Sequence, residues 1–227
     1  EAGMADRYEE AKDAFTKAIE LKPYYAKSYY AKAYYNRGTV NVKLGNYQQA
    51  IQDYTNAIKL KPDDAEAYYK RGLAYENVNN HQQAIKDFNK AIELKPNYAA
   101  AYAGRGIAYS ELGNYQQAIK DYTKAIELKP DDANVYYNRG TTYGIGLANY
   151  QQAIKDFDKA IELNPDYVEA YSNRGLAYNL FDNYQQAIKD YTKAIELKPD
   201  AAEAYNNRGI AYGKLGNYKE ALIDLKI

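Results

Sequence analysis

The sequence predicts an all-α fold, an α-solenoid of about thirteen helices arranged as antiparallel hairpins. Three observations predict it. The six prolines, Pro23, Pro62, Pro96, Pro130, Pro165 and Pro199, are spaced by 39, 34, 34, 35 and 34 residues, and a fixed period in this range marks a stacked repeat architecture. The phrases around them recur almost verbatim, as in AIKLKPDD, AIELKPNY and AIELNPDY, and so do the phrases before them, as in NYQQAIQDYTNAI and NYQQAIKDFDKAI. Between prolines, two stretches with helical apolar spacing are separated by a break, Asn79-Asn80 in one copy and Gly-Asn in three others.

The register divides 1–227 as one array. Five full repeats cover 31–64, 65–98, 99–132, 133–167 and 168–201; a second helix alone (1–25) precedes them, and a shortened repeat (202–227) follows. Both irregular spacings can be located. The 39 contains a tandem duplication, AKSYY at 26–30 followed by AKAYY at 31–35, and the 35 contains one extra residue within Gly144-Ile145-Gly146. Five inserted residues turn a helix by about 500°. The duplication therefore implies either a longer first helix in repeat one or a changed packing of the leading helix. Tyr24, Tyr25, Tyr29 and Tyr30 gather there, as a contact surface or as cover for the extension.

Within a repeat, the first helix shows its apolar face at Ala67, Tyr68, Ala74, Tyr75 and Val78. Glycine at the break suits the left-handed residue that ends a helix. The asparagine after it suits the N-cap of the second helix, with Gln three residues on, as in Asn114 and Gln117. The second helix carries Ala84, Ile85, Phe88, Ala91, Ile92 and Leu94 on a broad face, and proline stops it.

Counting positions so that the proline is position 32, position 8 is Gly38, Gly72, Gly106, Gly140, Gly175 and Gly209. Position 20 is alanine from Ala11 to Ala221, and position 24 is Phe15, Tyr54, Phe88, Tyr122, Phe157, Tyr191 and Leu225. The pattern resembles the tetratricopeptide repeat family, W-x2-L-G-x2-Y, then A-x3-F, then Ala and Pro. Tyrosine stands in place of the family tryptophan at position 4 (Tyr34, Tyr68, Tyr102, Tyr136, Tyr171, Tyr205), and arginine in place of leucine at position 7. The resemblance implies a right-handed superhelix of about six and a half repeats whose job is to hold other proteins. Twenty of the 29 tyrosines fall at positions 4, 11, 17 and 24, which reads as repeat-to-repeat packing.

Position 23 supplies an acid for the arginine. In a hairpin turning near position 15, positions 7 and 23 face each other, which predicts the pairs Arg37–Asp53, Arg71–Asp87, Arg105–Asp121, Arg139–Asp156, Arg174–Asp190 and Arg208–Asp224. The leading helix has no first helix beside it and carries Ala14 at position 23. Each guanidinium is expected to stack on a neighbouring tyrosine. The alternative is an arginine row for an acidic ligand, whose field the aspartates would cancel.

The resemblance implies that positions 2, 5, 6, 9, 12 and 13 of the first helices line a concave face. The candidate peptide-binding residues there are Tyr35, Asn36, Thr39, Tyr69, Lys70, Leu73, Ile107, Tyr137, Asn138, Thr141, Asn173, Leu176 and Asn207. The asparagines at position 6 are similar to the asparagine ladder in the repeat array of O-linked N-acetylglucosamine transferase. An amide offers a donor and an acceptor together, so such a row suits a peptide backbone; otherwise it solvates the face. Lys70 and Gly104 interrupt it. Ala100, Ala103 and Gly104 are expected to leave a pocket for a bulky side chain. The inward Lys32, Lys43, Lys70 and Lys214 are too spread for a carboxylate clamp.

Thirty basic residues against thirty acidic ones leave no surplus for phosphate, so no nucleic-acid or membrane partner is expected. There is no cysteine, no apolar run of membrane-spanning length and no apolar leader, which together read as cytoplasmic. No metal or cofactor motif and no nucleophile–base pair is in view, and His81 reads as a hairpin-turn residue in place of tyrosine at position 17. The expectation is a scaffold for a protein or peptide rather than an enzyme. Both ends read as unfinished, which leaves end-to-end self-association, or membership of a larger protein, as the alternatives.

Overall fold

Each period folds as two helices because its apolar residues follow a helical spacing, and its break residues accept the backbone geometry that the turn demands. The computed structural model describes residues 2–21 and 27–225. Among them are thirteen α-helices and no strand: α1 Ala2–Glu20, α2 Lys27–Lys43, α3 Tyr47–Leu60, α4 Ala65–Glu76, α5 His81–Leu94, α6 Ala99–Glu111, α7 Tyr115–Leu128, α8 Ala133–Thr141, α9 Tyr150–Leu163, α10 Val168–Leu180, α11 Tyr184–Leu197, α12 Ala202–Lys214 and α13 Tyr218–Asp224. A π-helical turn, Thr142–Gly146, lies between α8 and α9. Pro23, Tyr24, Tyr25 and the start of the duplication at Ala26 lie outside the described residues. No described helix is long and apolar enough to cross a membrane.

The helices gather into two compact units, Glu1–Leu112 and Gly113–Ile227. In the first, α1 packs on α2, α2 on α3, α3 on α4, α4 on α5 and α5 on α6; in the second, α7 to α13 pack in the same serial way. Alanine at position 20 and the aromatic at position 24 form the core of each hairpin, with Ala50, Ala84, Ala118, Ala153 and Ala187 fully buried. Position 8 must be glycine for a steric reason. A Cβ on Gly72 would stand 2.7 Å from the Phe88 ring, and one on Gly38, Gly140 or Gly175 would stand 2.9 Å from the ring of its own second helix.

The turns follow the expected chemistry. Gly45, Gly113 and Gly216 adopt positive φ at the helix end, and Asn79, Ala148 and Asp182 take the same conformation where glycine is missing. Four turns close with a hydrogen bond five residues back, as from Asn80 N to Tyr75 O. In the fourth repeat the bond reaches six back, from Asn149 N to Tyr143 O at 2.8 Å. The extra residue is thus absorbed as a wider, π-helical turn. The N-cap expectation needs a correction at Asn46, Asn114 and Asn217, whose side chains make no capping bond; the Asn114 carbonyl accepts the Gln117 amide instead. The capping bond does form at Asn80, Asn149 and Asn183. The duplication lengthens the first helix: α2 has 17 residues, against 12 in α4.

Candidate functional site

The candidate site has two layers: a buried seam inside the hairpins and, outside it, a wall of first-helix side chains. In the seam, Arg71, Arg139, Arg174 and Arg208 each grip the aspartate of their own second helix as a fork. Nε donates to Oδ2 at 2.7–2.8 Å and Nη2 to Oδ1 at 2.6–2.7 Å. Arg37 grips Asp53 in the same manner. The aspartates are buried. Burial pushes the Asp87 and Asp190 carboxyls up against the pull of Arg71 and Arg174, so each depends on its arginine for its charge. Burial also opposes the charged Arg139, and the hydrogen bond and charge of Asp156 outweigh it. Arg105 and Asp121 belong to different units; within its own unit Arg105 stacks on Tyr102.

All six guanidinium groups lie 5.4–5.8 Å from the ring centre of the position-4 tyrosine of their own helix. A third partner was not anticipated from the sequence. The Nη1 of each arginine donates to position 25 of the preceding second helix: Thr16, Thr55, Asn89, Thr123, Asp158 and Thr192, at 2.6–3.2 Å. Where that residue is Thr16, Thr55 or Thr192, its hydroxyl gives its own proton to a helix carbonyl four residues back and so presents a lone pair to the guanidinium. Arg37, Arg71, Arg139, Arg174 and Arg208 therefore each tie their own hairpin together, and all six arginines tie their helix to the second helix before it. The sequence signal is present, since every copy that precedes an arginine-bearing helix carries a hydrogen-bond acceptor at position 25. In the first repeat Asn41 stands at position 11 in place of tyrosine, is buried, and donates Nδ2 to Asp53.

The wall divides by unit. In the first unit, Tyr35 and Asn36 line a cavity of about 340 Å³ with Ser28, Lys32, Lys61, Asp64 and Glu66. The Tyr35 hydroxyl donates to Glu66 at 2.8 Å, and burial raises its phenol. Thr39 donates to the Tyr35 carbonyl, Tyr69 packs on Phe88 and Tyr98, Lys70 lies over the Tyr69 ring, Leu73 packs into the Phe88 cluster, and Ile107 is exposed. Gly104 corrects an expectation. It does not open a pocket in the wall but is buried against Phe88, where a Cβ would come within 2.8 Å of the ring. Phe88 is held between Gly72 on its own hairpin and Gly104 on the next helix. Tyr29 and Tyr30 line an adjoining cavity of about 440 Å³ with Phe15 and Leu21, which shares Lys32 and Asn36 with the first. His81 begins α5, with Nδ1 3.1 Å from Glu76, whose carboxyl burial raises.

In the second unit, Tyr137, Asn173, Leu176 and Asn207 line one cavity of about 400 Å³. Asn173 donates to the Tyr137 hydroxyl at 2.9 Å. Tyr137 packs on Phe157 and Tyr167. The Thr141 side chain, with Asn173 and Leu176 again, lines a second cavity of about 250 Å³ beside the π turn. Asn138 is half-buried and its carbonyl accepts the Thr142 hydroxyl. The position-5 tyrosines of the candidate set thus pack against core aromatics, and part of each ring faces out.

The comparisons with known proteins agree with this architecture. The family model described as TPR repeat matches residues 38–79, 148–179 and 182–216, and models described as tetratricopeptide repeat match 65–98, 99–132, 121–155 and 5–25. Among solved structures, the chain is similar to MamA at 28% identity, covering 76% of this chain and 94% of that one with a TM-score of 0.67. It is similar to YrrB, described as a TPR protein with an unusual peptide-binding site, at 25% identity over 85% and 96% with a TM-score of 0.67. A tetratricopeptide repeat protein from Parabacteroides merdae shares the fold, with a TM-score of 0.74 at 21% identity over 96% and 84%. No curated protein matches the chain.

Proposed function

The chain belongs to the tetratricopeptide repeat family, and on that premise we propose that it is a protein-interaction scaffold that holds an extended peptide segment against its first-helix wall. One observation carries the reading. Between nearly identical copies the seam residues scarcely change, whereas the wall positions do, from Tyr35 to Ala103 to Asn206 at position 5 and from Asn36 to Lys70 to Asn138 at position 6. A uniform seam with a varied wall is what a rigid frame for side-chain recognition requires. The half-buried amides of Asn36, Asn138, Asn173 and Asn207 support backbone recognition, since an amide pairs with a peptide group whatever its side chain. The similarity to YrrB, whose description names a peptide-binding site, favours the same reading.

The test is a displayed library of random peptides panned against the intact chain and against an Asn138→Ala/Asn173→Ala variant. The wild type should enrich a defined set, and the variant should lose about tenfold or more in affinity for it. Equal affinity of the two proteins for the enriched set would remove the wall as the site.

A further inference from the structure

We propose that the wall of the second unit takes an extended segment in which a bulky apolar side chain is flanked by basic residues, with the apolar side chain in the cavity at the π turn and the basic residues over the adjoining carboxylates. This rests on the reading of the first-helix wall as a peptide groove and names the chemistry of its occupant.

The two cavities of the second unit adjoin, with Asn173 and Leu176 in the walls of both. The one at the π turn is apolar, walled by Gly144, Ile145, Phe157, Leu176 and Leu180. It exists through the extra residue. The wide turn seats Gly146 on Tyr115, where a Cβ would come within 2.7 Å of the ring, and brings Gly144 and Ile145 to the cavity rim. Ile145 is 71% exposed and Leu180 51%, so two large apolar side chains stand open to solvent at its mouth. At about 250 Å³ the cavity has room for a large side chain, since an apolar void of ~150 Å³ is enough to hold benzene. π turns inside α-helices recur at functional positions.

The adjoining cavity is electrically lopsided. Glu169, Asp200 and Glu203 line it against the single cation Lys198. The corresponding cavity of the first unit balances Lys32 and Lys61 against Asp64 and Glu66. The negative field reaches the wall itself: after burial, the carboxylates of Glu169 and Glu203 add to the upward shift of the Tyr137 phenol. An apolar hole beside an acidic floor selects an apolar residue with lysine or arginine next to it, and repels acidic segments.

Three short fluorescein-labelled peptides test the proposal by anisotropy on the intact chain: a serine-rich peptide with a central Phe flanked by Lys, a twin with Glu flanks, and a twin with Ser at the centre. The Lys–Phe peptide should bind about tenfold tighter than either twin, and its advantage over the Glu twin should shrink with added salt. Glu169→Gln/Glu203→Gln should erase the advantage over the Glu twin, and Leu180→Ser the advantage over the Ser twin, with thermal melts unchanged. Equal binding of the Lys and Glu peptides, or unaltered preferences in the variants, overturns the proposal. If the three bind alike and Asn173→Ala weakens all of them, the groove stands and its proposed occupant is wrong. If none binds and the random library also enriches nothing, both readings fall.

Discussion

The seam of each hairpin and the wall outside it are built from the same helices, yet they respond to opposite demands. In the seam, an arginine, a tyrosine and an aspartate repeat with bond lengths that differ by about a tenth of an ångström between copies. In the wall, the corresponding cavities of the two units differ in charge, and each has an apolar neighbour of its own shape and lining. The difference teaches where this chain can change without unfolding. A solenoid gains its stability from each hairpin and from each contact with the next. The seam supplies both, because one guanidinium joins its own aspartate and the preceding helix. The wall is then free to vary.

The largest effect should come from cutting the seam. Arg139→Ala leaves the Asp156 carboxyl buried without its partner, which costs about 3–5 kcal/mol, and it also strands the acceptor Thr123. Urea denaturation followed by circular dichroism would read this as a large drop in midpoint. An Arg139→Ala protein as stable as the wild type would show that the fork is decoration. Removing both partners, as Arg139→Leu/Asp156→Leu, should recover much of the loss, since an apolar pair avoids the cost of burying charge.

Gly104→Asn sharpens the boundary between the layers. Four other copies carry asparagine at that position, half-buried in the wall. At Gly104 the same side chain meets Phe88, which is also pinned by Gly72, so overpacking should cost about 1–3 kcal/mol. A neutral substitution in the same denaturation assay would return Gly104 to the wall.

These two tests also separate what was legible in the sequence from what was not. The period, the hairpins and the arginine–aspartate spacing were legible because each rests on one residue type recurring at one position. The contacts of position 25 were not, because threonine, asparagine and aspartate share only an accepting oxygen. Gly104 was misread because its repeat position places it on the wall, while its missing side chain lets α6 settle on Phe88. The extra residue near Gly144 was visible, but a sequence does not say whether a helix loops out or widens, and here it widens into the turn that walls a cavity. Asn114 has the capping residues and lacks the side-chain bond, so its cap was overread.

Alkaline titration should reach the half-buried tyrosines of both layers only as the fold opens. Burial, followed by the charge of Tyr137, Glu169 and Asp132, pushes the Tyr167 phenol from its ordinary 10.0 up to about 12. Tyr35, Tyr98 and Tyr191 are shifted in the same direction, burial first. A phenol whose folded value is raised adds stability that is complete below pH 10 and lost as pH rises through the folded value. The tyrosinate absorbance of these phenols should therefore appear together with loss of helical signal as pH rises from about 10 through about 12. Ionisation of all the tyrosines near pH 10 with the helices intact would show that the rings are solvated.

The smallest stability effects belong to the wall, and their smallness is the point. Asn173→Ala removes one half-exposed hydrogen bond to Tyr137, for about 0.5–1.5 kcal/mol. Asn138→Ala removes an amide at the same repeat position that is not tied to Tyr137, so its cost should fall within about 0.5 kcal/mol. Both should weaken binding of an enriched peptide by more than they weaken the fold. Parallel melts and anisotropy titrations on the two variants check this. If affinity tracks stability in both, the amides act on the frame; if affinity falls while the Asn138→Ala melt stays at the wild-type value, the wall is the layer that reads the partner.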